Sequence, residues 1–349
     1  MSTFKTRVAR FWSWYSKNAA KLYRKVDQGK SGELVETISG ACNKCLPGFA
    51  WCFGPGANEQ GHSFTITGEG KPGFYLLAEY WLAQAPQLEG WTFYSSRQAS
   101  KVSGEEVIGI NEMEFCPKDF LVKPIVFEER ELIGIDFWHP EFPNCDEHLR
   151  FTVLGLWLDE CLGEVDATAW IGSAEAKDLS GDSAAFPILK LRSYLDLLQK
   201  EKGWEKLPPG DTYTLYEIPE PSDAFPRADT ISGTTCNMPL ISDFLSSEGR
   251  MEDPLEGTGA QFLYIGINRE YFPAGEEVDF RANLEEAIDT RLRAEFSGRV
   301  FGGAFGLKSG YIDLVIYDGK RSIELIKEVL SQQGIEGDYF IRPFANPKG

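Results

Sequence analysis

The chain reads as an α+β protein: two ferredoxin-like βαββαβ modules, joined by a less regular middle region and preceded by an amphipathic helix. Three observations predict this. An apolar fraction of 42% with 25% charged residues lies in the globular range, so the chain can bury a core. Apolar spacing switches repeatedly between the three-to-four-residue period of helices and the alternation of strands. Residues 258–349 set these patterns out as strand, helix, strand, strand, helix, strand. A length of 349 residues allows more than one domain. The expected boundaries are N-terminal helices over 1–45, a first α+β module over 46–173, a connecting region over 174–257 and the second module over 258–349.

Residues 3–27 predict the first helix, with Phe4, Val8, Phe11, Trp12, Tyr15, Ala19, Leu22, Tyr23 and Val26 on one face. Ser2 or Thr3 can cap its start and Gly29 can end it. A shorter helix is expected from about Ser31 to Ala41, with Leu34, Val35 and Ile38 inward. "FAWCF" and "HSFTITG" follow as strands around the turn-rich "GPGANEQG". Pro72 fits the first turn of a helix that is over by Pro86. "WTFYSS" is strand-like, and "PIVFEE" with "ELIGIDFW" predicts a hairpin around Glu129 and Arg130. "EHLRFTVLGLWLDECLG" is a helix with Gly163 at its end, and "EVDATAWIG" is expected to close the module as a strand.

In the middle region a helix is expected around Pro187 to Gln199, with strands at "TYTLYEI" and "ADTISGTT". "LPPGD" and "IPEPSDAFP" carry turn chemistry, since proline fixes φ and donates no backbone hydrogen bond. The final module runs through the strand "QFLYIGIN", the helix "ANLEEAIDTRLRAEF" and the hairpin "RVFGGAFGL"–"GYIDLVIYD". The helix "RSIELIKEVLSQQG" and the strand "DYFIRPF" complete it. The correspondence between the two modules is one of element order, with no repeated sequence.

Charge and composition narrow the function. The net charge is −18, with 53 acidic against 35 basic residues, which repels nucleic acid and suits a basic protein partner. Residues 1–30 carry eight Lys and Arg against Asp27, a net of +7, so the remainder carries −25. The first helix is therefore expected to dock on its own acidic chain rather than on anionic lipid. No apolar run approaches the roughly 20 residues of a membrane span, and the N-terminus has no secretory h-region. Seven cysteines without a dense disulfide rhythm fit reduced thiols in the cytoplasm.

Two constellations are candidate sites. Cys42-x₂-Cys45, with Cys52 and His62 downstream, is half of a zinc pattern without the second close pair. It also sits where a helix ends, whereas a redox Cys-x-x-Cys opens one, so buried free thiols are the expected state. "FWHPEFPNCDEH" places Cys145, Asp146 and His148 close together, with His139 upstream, as a weak catalytic candidate. The simpler expectation is that Asn144 or Asp146 caps a helix. "GGAFGLKSG" fails as a phosphate loop, because Leu307 separates Gly306 from Lys308 and a strand follows. "GPGANEQG" lacks the strand–loop–helix setting of a dinucleotide fingerprint, so no cofactor is expected.

"FWSWYSKN", "LPGFAWCFGPG" and "LDECLGEVD" together resemble a group of uncharacterised bacterial proteins that open on an FW-x-W helix. "GRVFGGAFGLKSGYIDLVIYD" resembles the glycine-rich hairpin of small α+β modules, some from toxin–immunity neighbourhoods. Neither resemblance implies an activity or a catalytic set. The expectation is a non-enzymatic binding or regulatory protein with an acidic surface for a protein partner, of which an immunity-type inhibitor is one version. The alternatives are an enzyme with a cleft between the two modules, and a zinc-stabilised structural domain.

Overall fold

The apolar face marked by the N-terminal periodicity lies in the chain's own core. A computed structural model describes residues 2–205 and 207–345. Helix α1 spans Phe4–Asp27, and the Thr3 hydroxyl accepts from the Thr6 amide at its start. Two more first-turn amides, those of Phe4 and Lys5, donate to the carbonyls of Gly259 and Tyr317, so distant backbone satisfies the helix end. Phe4, Val8, Phe11, Trp12, Tyr15, Ala19 and Leu22 are buried, while Arg10, Lys17, Lys21 and Arg24 stay exposed. Helix α2 (Val35–Cys45) runs past the expected end at Ala41, because Cys42 and Cys45 continue the buried stripe begun by Ile38. Strands β1 (Ala50–Pro55) and β2 (His62–Thr67) form the expected hairpin. Helix α3 (Pro72–Ala83) then crosses over to β3 (Trp91–Tyr94), which pairs parallel to β2.

The chain next builds a separate unit, Ser96–Leu207, before returning at Pro208 to the first. The second unit opens with the short hairpin β4 (Ile108–Ile110) and β5 (Met113–Phe115). Strands β6 (Leu121–Phe127) and β7 (Leu132–Trp138) pair around a turn at Glu128–Arg130. Helix α4 (Glu147–Leu162) is followed by α5 (Glu164–Trp170), β8 (Ile171–Ala176), β9 (Phe186–Pro187) and α6 (Leu191–Lys202). The sheet order is β8-β7-β6-β9, and its inward residues Val122, Ile133 and Phe137 share a core with Trp157 and Leu195.

Back in the first unit come β10 (Thr214–Glu217), β11 (Thr230–Thr235) and α7 (Met238–Ser246). The chain ends with β12 (Gln261–Asn268), α8 (Glu277–Ala294), β13 (Gly298–Gly306), β14 (Ser309–Ile316), α9 (Lys320–Gln332) and β15 (Tyr339–Pro343). These six strands make one antiparallel sheet, ordered β10-β11-β13-β14-β12-β15. Alternation divides its two faces. Ile265, Ile312 and Leu314 pack with Ile288 and Leu325 of α8 and α9. Phe262, Phe301 and Val315 join the larger core that holds α1, α3 and the first sheet.

Mixed α and β structure is as read, and the βαββαβ order of residues 258–349 is present. The matching module expected over 46–173 is not one sheet. "HSFTITG" and "WTFYSS" pair with each other in the first unit, whereas "ELIGIDFW" pairs with β6 and β8 in the second. Element order leaves pairing open, and pairing follows which apolar faces meet. The connecting region 174–257 is likewise divided. Its start completes the second unit, and β10 and β11 extend the C-terminal sheet. "EVDATAWIG" begins as helix α5, not as a strand. Gly163, at φ +81°, breaks α4 and restarts the chain with Glu164 and Asp166 in a first turn, where carboxylates favour a helix.

Trp12 stacks on Trp81 with ring centroids 4.4 Å apart, and its indole N–H donates to the Trp81 carbonyl at 3.0 Å. Trp12→Ala is expected to destabilise the first unit by about 3–5 kcal/mol, as other large aromatic truncations do. Urea unfolding followed by tryptophan fluorescence reads this directly, and a loss under 1 kcal/mol (about what a surface change gives) would place the helix outside the core.

Candidate functional site

The sequence-marked cysteines do not converge. Cys42 and Cys45 lie on α2, both buried, and burial pushes the Cys42 thiol up to about 12, with Cys45 beside it adding to the shift. A thiol held protonated in apolar surroundings is a poor ligand and a poor nucleophile. Cys52 is exposed on β1 opposite Thr65, whereas His62 on β2 lies opposite Pro55. Three residues of strand separate those rungs by roughly 10 Å and turn the side chains to opposite faces. His62 rests instead on the Tyr23 ring, 4.8 Å between centroids, and 3.5 Å from Asp27. Among the described residues no group of three or more Cys, His, Asp and Glu side chains is placed to hold a metal.

The second candidate set serves local structure. Asp146 caps α4, its carboxylate accepting the Leu149 amide at 2.7 Å. The Cys145 thiol donates to the Glu141 carbonyl at 3.2 Å, and burial raises its pKa. His148 is exposed in the first helical turn. His139 is buried among Phe115, Phe120 and Phe142, where burial lowers its pKa. Its Nδ1 accepts the Glu141 amide at 3.2 Å.

Two polar clusters that the sequence did not mark are assembled from distant segments of the first unit. In one, the fully buried Arg227 meets Asp313 of β14 through both terminal nitrogens, and its Nη2 also donates to the Tyr216 hydroxyl at 2.9 Å. The rings of Tyr264, Tyr311 and Phe344 surround the guanidinium at 5.2–5.7 Å. With no solvent access, this cluster is structural. Glu285 of α8 sits nearby on the other side of the sheet, above Gly303. A Cβ at that position would lie 2.2 Å from Glu285 Oε1, so only glycine leaves the space.

The other cluster lines an open cleft of about 440 Å³. Arg299 of β13 is clamped by Glu79 of α3 at 2.9 Å, by Asp211 at 2.8 Å and by the Gly210 carbonyl at 2.5 Å. Glu79 also accepts the Gly210 amide at 3.1 Å. Burial nevertheless raises its pKa against the pull of that amide and of Arg299. Leu76, Tyr80, Leu82 and Tyr317 form apolar walls, with Phe296 and Arg293 at the rim. A water-accessible hollow with converging polar groups and a shifted carboxyl is the general form of a ligand site. No sequence motif marks the cleft, because Glu79, Asp211 and Arg299 are separated by more than eighty positions.

Burial pushes the Glu285 carboxyl up to about 7; Arg281, 3.1 Å away but not aligned for a hydrogen bond, offsets this in part, and Asp313 adds repulsion. An unfolded glutamate titrates near ~4.3. Between these values the folded chain binds the extra proton, so stability falls as pH rises through that window. Glu285→Gln is expected to flatten the fall by about 3 kcal/mol, read as the difference in urea unfolding free energy between pH 4.5 and 7.5. An unchanged pH slope in the variant would show that Glu285 titrates normally. No family model, no curated protein and no solved structure matches the chain.

Proposed function

We propose that the protein is a non-enzymatic binding protein whose second unit presents an acidic surface to a basic protein partner. One observation carries this reading. Residues 96–207 hold 22 Asp and Glu against 12 Lys and Arg, a net of −10, while the first unit, about twice as long, carries 31 against 23, a net of −8. Negative charge is thus concentrated where the fewest residues have to hold it. A field of that kind steers an oppositely charged partner and speeds encounter.

The second unit also offers something for such a partner to grip. Glu128, Glu129 and Glu131 are exposed in the turn between β6 and β7. Next to that turn, on the sheet face turned away from the core, Ile125 and Phe127 stay exposed, with Phe127 lying over Gly134. One row further along, Lys123, Asp136 and Glu175 stand side by side, and Lys177 bridges the two carboxylates at 2.9 and 2.8 Å. The charge there is largely balanced, and Lys202 pairs with Glu128 at 2.6 Å, so Glu129 and Glu131 of the turn, with Glu112 and Glu114 of the short hairpin, present exposed acidic charge to a partner. Strand β9 covers β6 only at Leu121 and Val122, and Pro124 in the uncovered stretch offers no backbone donor. The partner therefore meets side chains, an apolar pair rimmed by carboxylates, and does not add a strand.

Affinity capture with the full chain, followed by titration of the captured protein, tests the reading. The expected partner is basic, and its affinity falls steeply between 50 and 300 mM salt. Combined Glu128→Lys, Glu129→Lys and Glu131→Lys substitutions are expected to weaken it at least about tenfold, the scale of a few rim charges acting together. An interaction indifferent to both salt and charge reversal would overturn the proposal.

A further inference from the structure

The first unit's cleft carries an inference of its own, independent of the acidic second unit. It begins at Phe296. Helix α8 ends in a Schellman turn, with the Ser297 amide donating to Leu292 at 2.9 Å and the Phe296 amide to Arg293 at 3.0 Å. The residue at the left-handed position of such a turn is usually glycine. Here it is Phe296, at φ +50°. A Cβ in that conformation costs on the order of 1 kcal/mol. The ring recovers little by burial, since Phe296 is 52% exposed. A phenylalanine that strains its backbone and leaves its ring half in water is held there by the turn, at the rim of the cleft.

The chemistry of the remaining walls says what the ring waits for. Tyr80 and Tyr317 lie across the floor with centroids 4.3 Å apart. Arg299 is held by two carboxylates and a carbonyl, so its charge is already matched. Arg293 is tied to Asp289, which also accepts the Val300 amide at 2.7 Å. The charged groups lining the cleft are Glu79 and Asp211 against Arg293 and Arg299; with Arg293 taken up by Asp289 behind the wall, the two lining carboxylates share the single charge of Arg299. Glu79 and Asp211 keep side-chain exposures of 25% and 50%, and each carboxylate oxygen has acceptor capacity beyond its present partner. Aromatic faces beside surplus carboxylates favour a cation with an apolar body over an anion or a neutral hydrocarbon.

We propose that the cleft binds a small organic amine: an apolar body of about one aromatic ring, stacked against Phe296 and Tyr80, with its protonated ammonium directed at Glu79 and Asp211. Its volume lies within the range of small-molecule sites. The contact is reversible and involves no covalent step.

Three probes with one body and different heads test it by ligand-observed NMR and isothermal titration on the full chain: 2-phenylethylamine, 2-phenylethanol and 3-phenylpropionate. The amine is expected to bind saturably, at least about tenfold tighter than the alcohol and the carboxylate. Phe296→Gly removes the ring and gives the turn its preferred residue, so its melting temperature is expected to hold or rise while amine affinity drops about tenfold. Asp211→Asn, at an exposed position, is expected to weaken the amine several-fold and leave the alcohol unchanged. Saturable binding of the carboxylate at equal strength, absence of amine binding, or amine binding unaffected in a folded Phe296→Gly chain would each overturn the proposal. None of these outcomes depends on the second unit's partner.

Discussion

A single buried ion pair sets the terms for the first unit. Arg227 and Asp313 are both without solvent contact, and each is tolerable there only because the other is present. Arg227 lies in the segment before β11, and Asp313 in β14 near the middle of the sheet. Joining them fixes β10 and β11 on the C-terminal βαββαβ core and draws Tyr216 in with them. Arg227 itself adopts φ +72°, so the backbone accepts strain to deliver the guanidinium. A neighbouring contact repeats the pattern, with the Tyr311 hydroxyl on Asp229 and the Lys308 amide on the same carboxylate. The face of a sheet that would otherwise be all apolar is thereby given one register.

The cleft depends on the same frame. Arg299 lies on β13, which sits between β11 and β14, so the strands that the Arg227 pair holds together also place the clamp on Glu79 and Gly210. Rigid elements carry the groups that face the hollow: α3 supplies Glu79 and Tyr80, and the end of α8 supplies Arg293 and Phe296. Asp211 comes from a single 3-10 turn, Pro209–Asp211. A site built this way is preformed, which lowers the entropy lost when a small molecule binds.

Periodicity made most helices legible. The three-to-four spacing from Phe4 to Leu22 gave the buried face of α1 residue for residue, and of the two cap candidates, Asn144 and Asp146, the second starts α4. Pairing was less legible. "HSFTITG", helix and "WTFYSS" form a parallel βαβ step and stop, and nothing local says that the next strands found a second core around Trp157. "EVDATAWIG" reads as a strand because Val165, Ala167 and Ala169 alternate, whereas Gly163, which caps α4 as expected, also starts a second helix. The cleft was not legible at all. Glu79 and Arg299 are 220 positions apart, and a phenylalanine at a left-handed helix end leaves no compositional trace.

The interruption of the first unit by residues 96–207 has a kinetic side. During synthesis α1 emerges before the rest of the first unit, yet the carbonyls that complete its first turn belong to Gly259 and Tyr317. Phe11, Trp12 and Tyr15 meet Phe64, Trp81 and Trp91 before the inserted unit is made, whereas Phe4 gains Tyr317 only after it. That unit is contiguous in sequence and closes on its own core, so it can finish folding in the interval. What waits across that interval is the start of α1, whose first-turn amides are satisfied only when Gly259 and Tyr317 arrive and the C-terminal sheet closes over it.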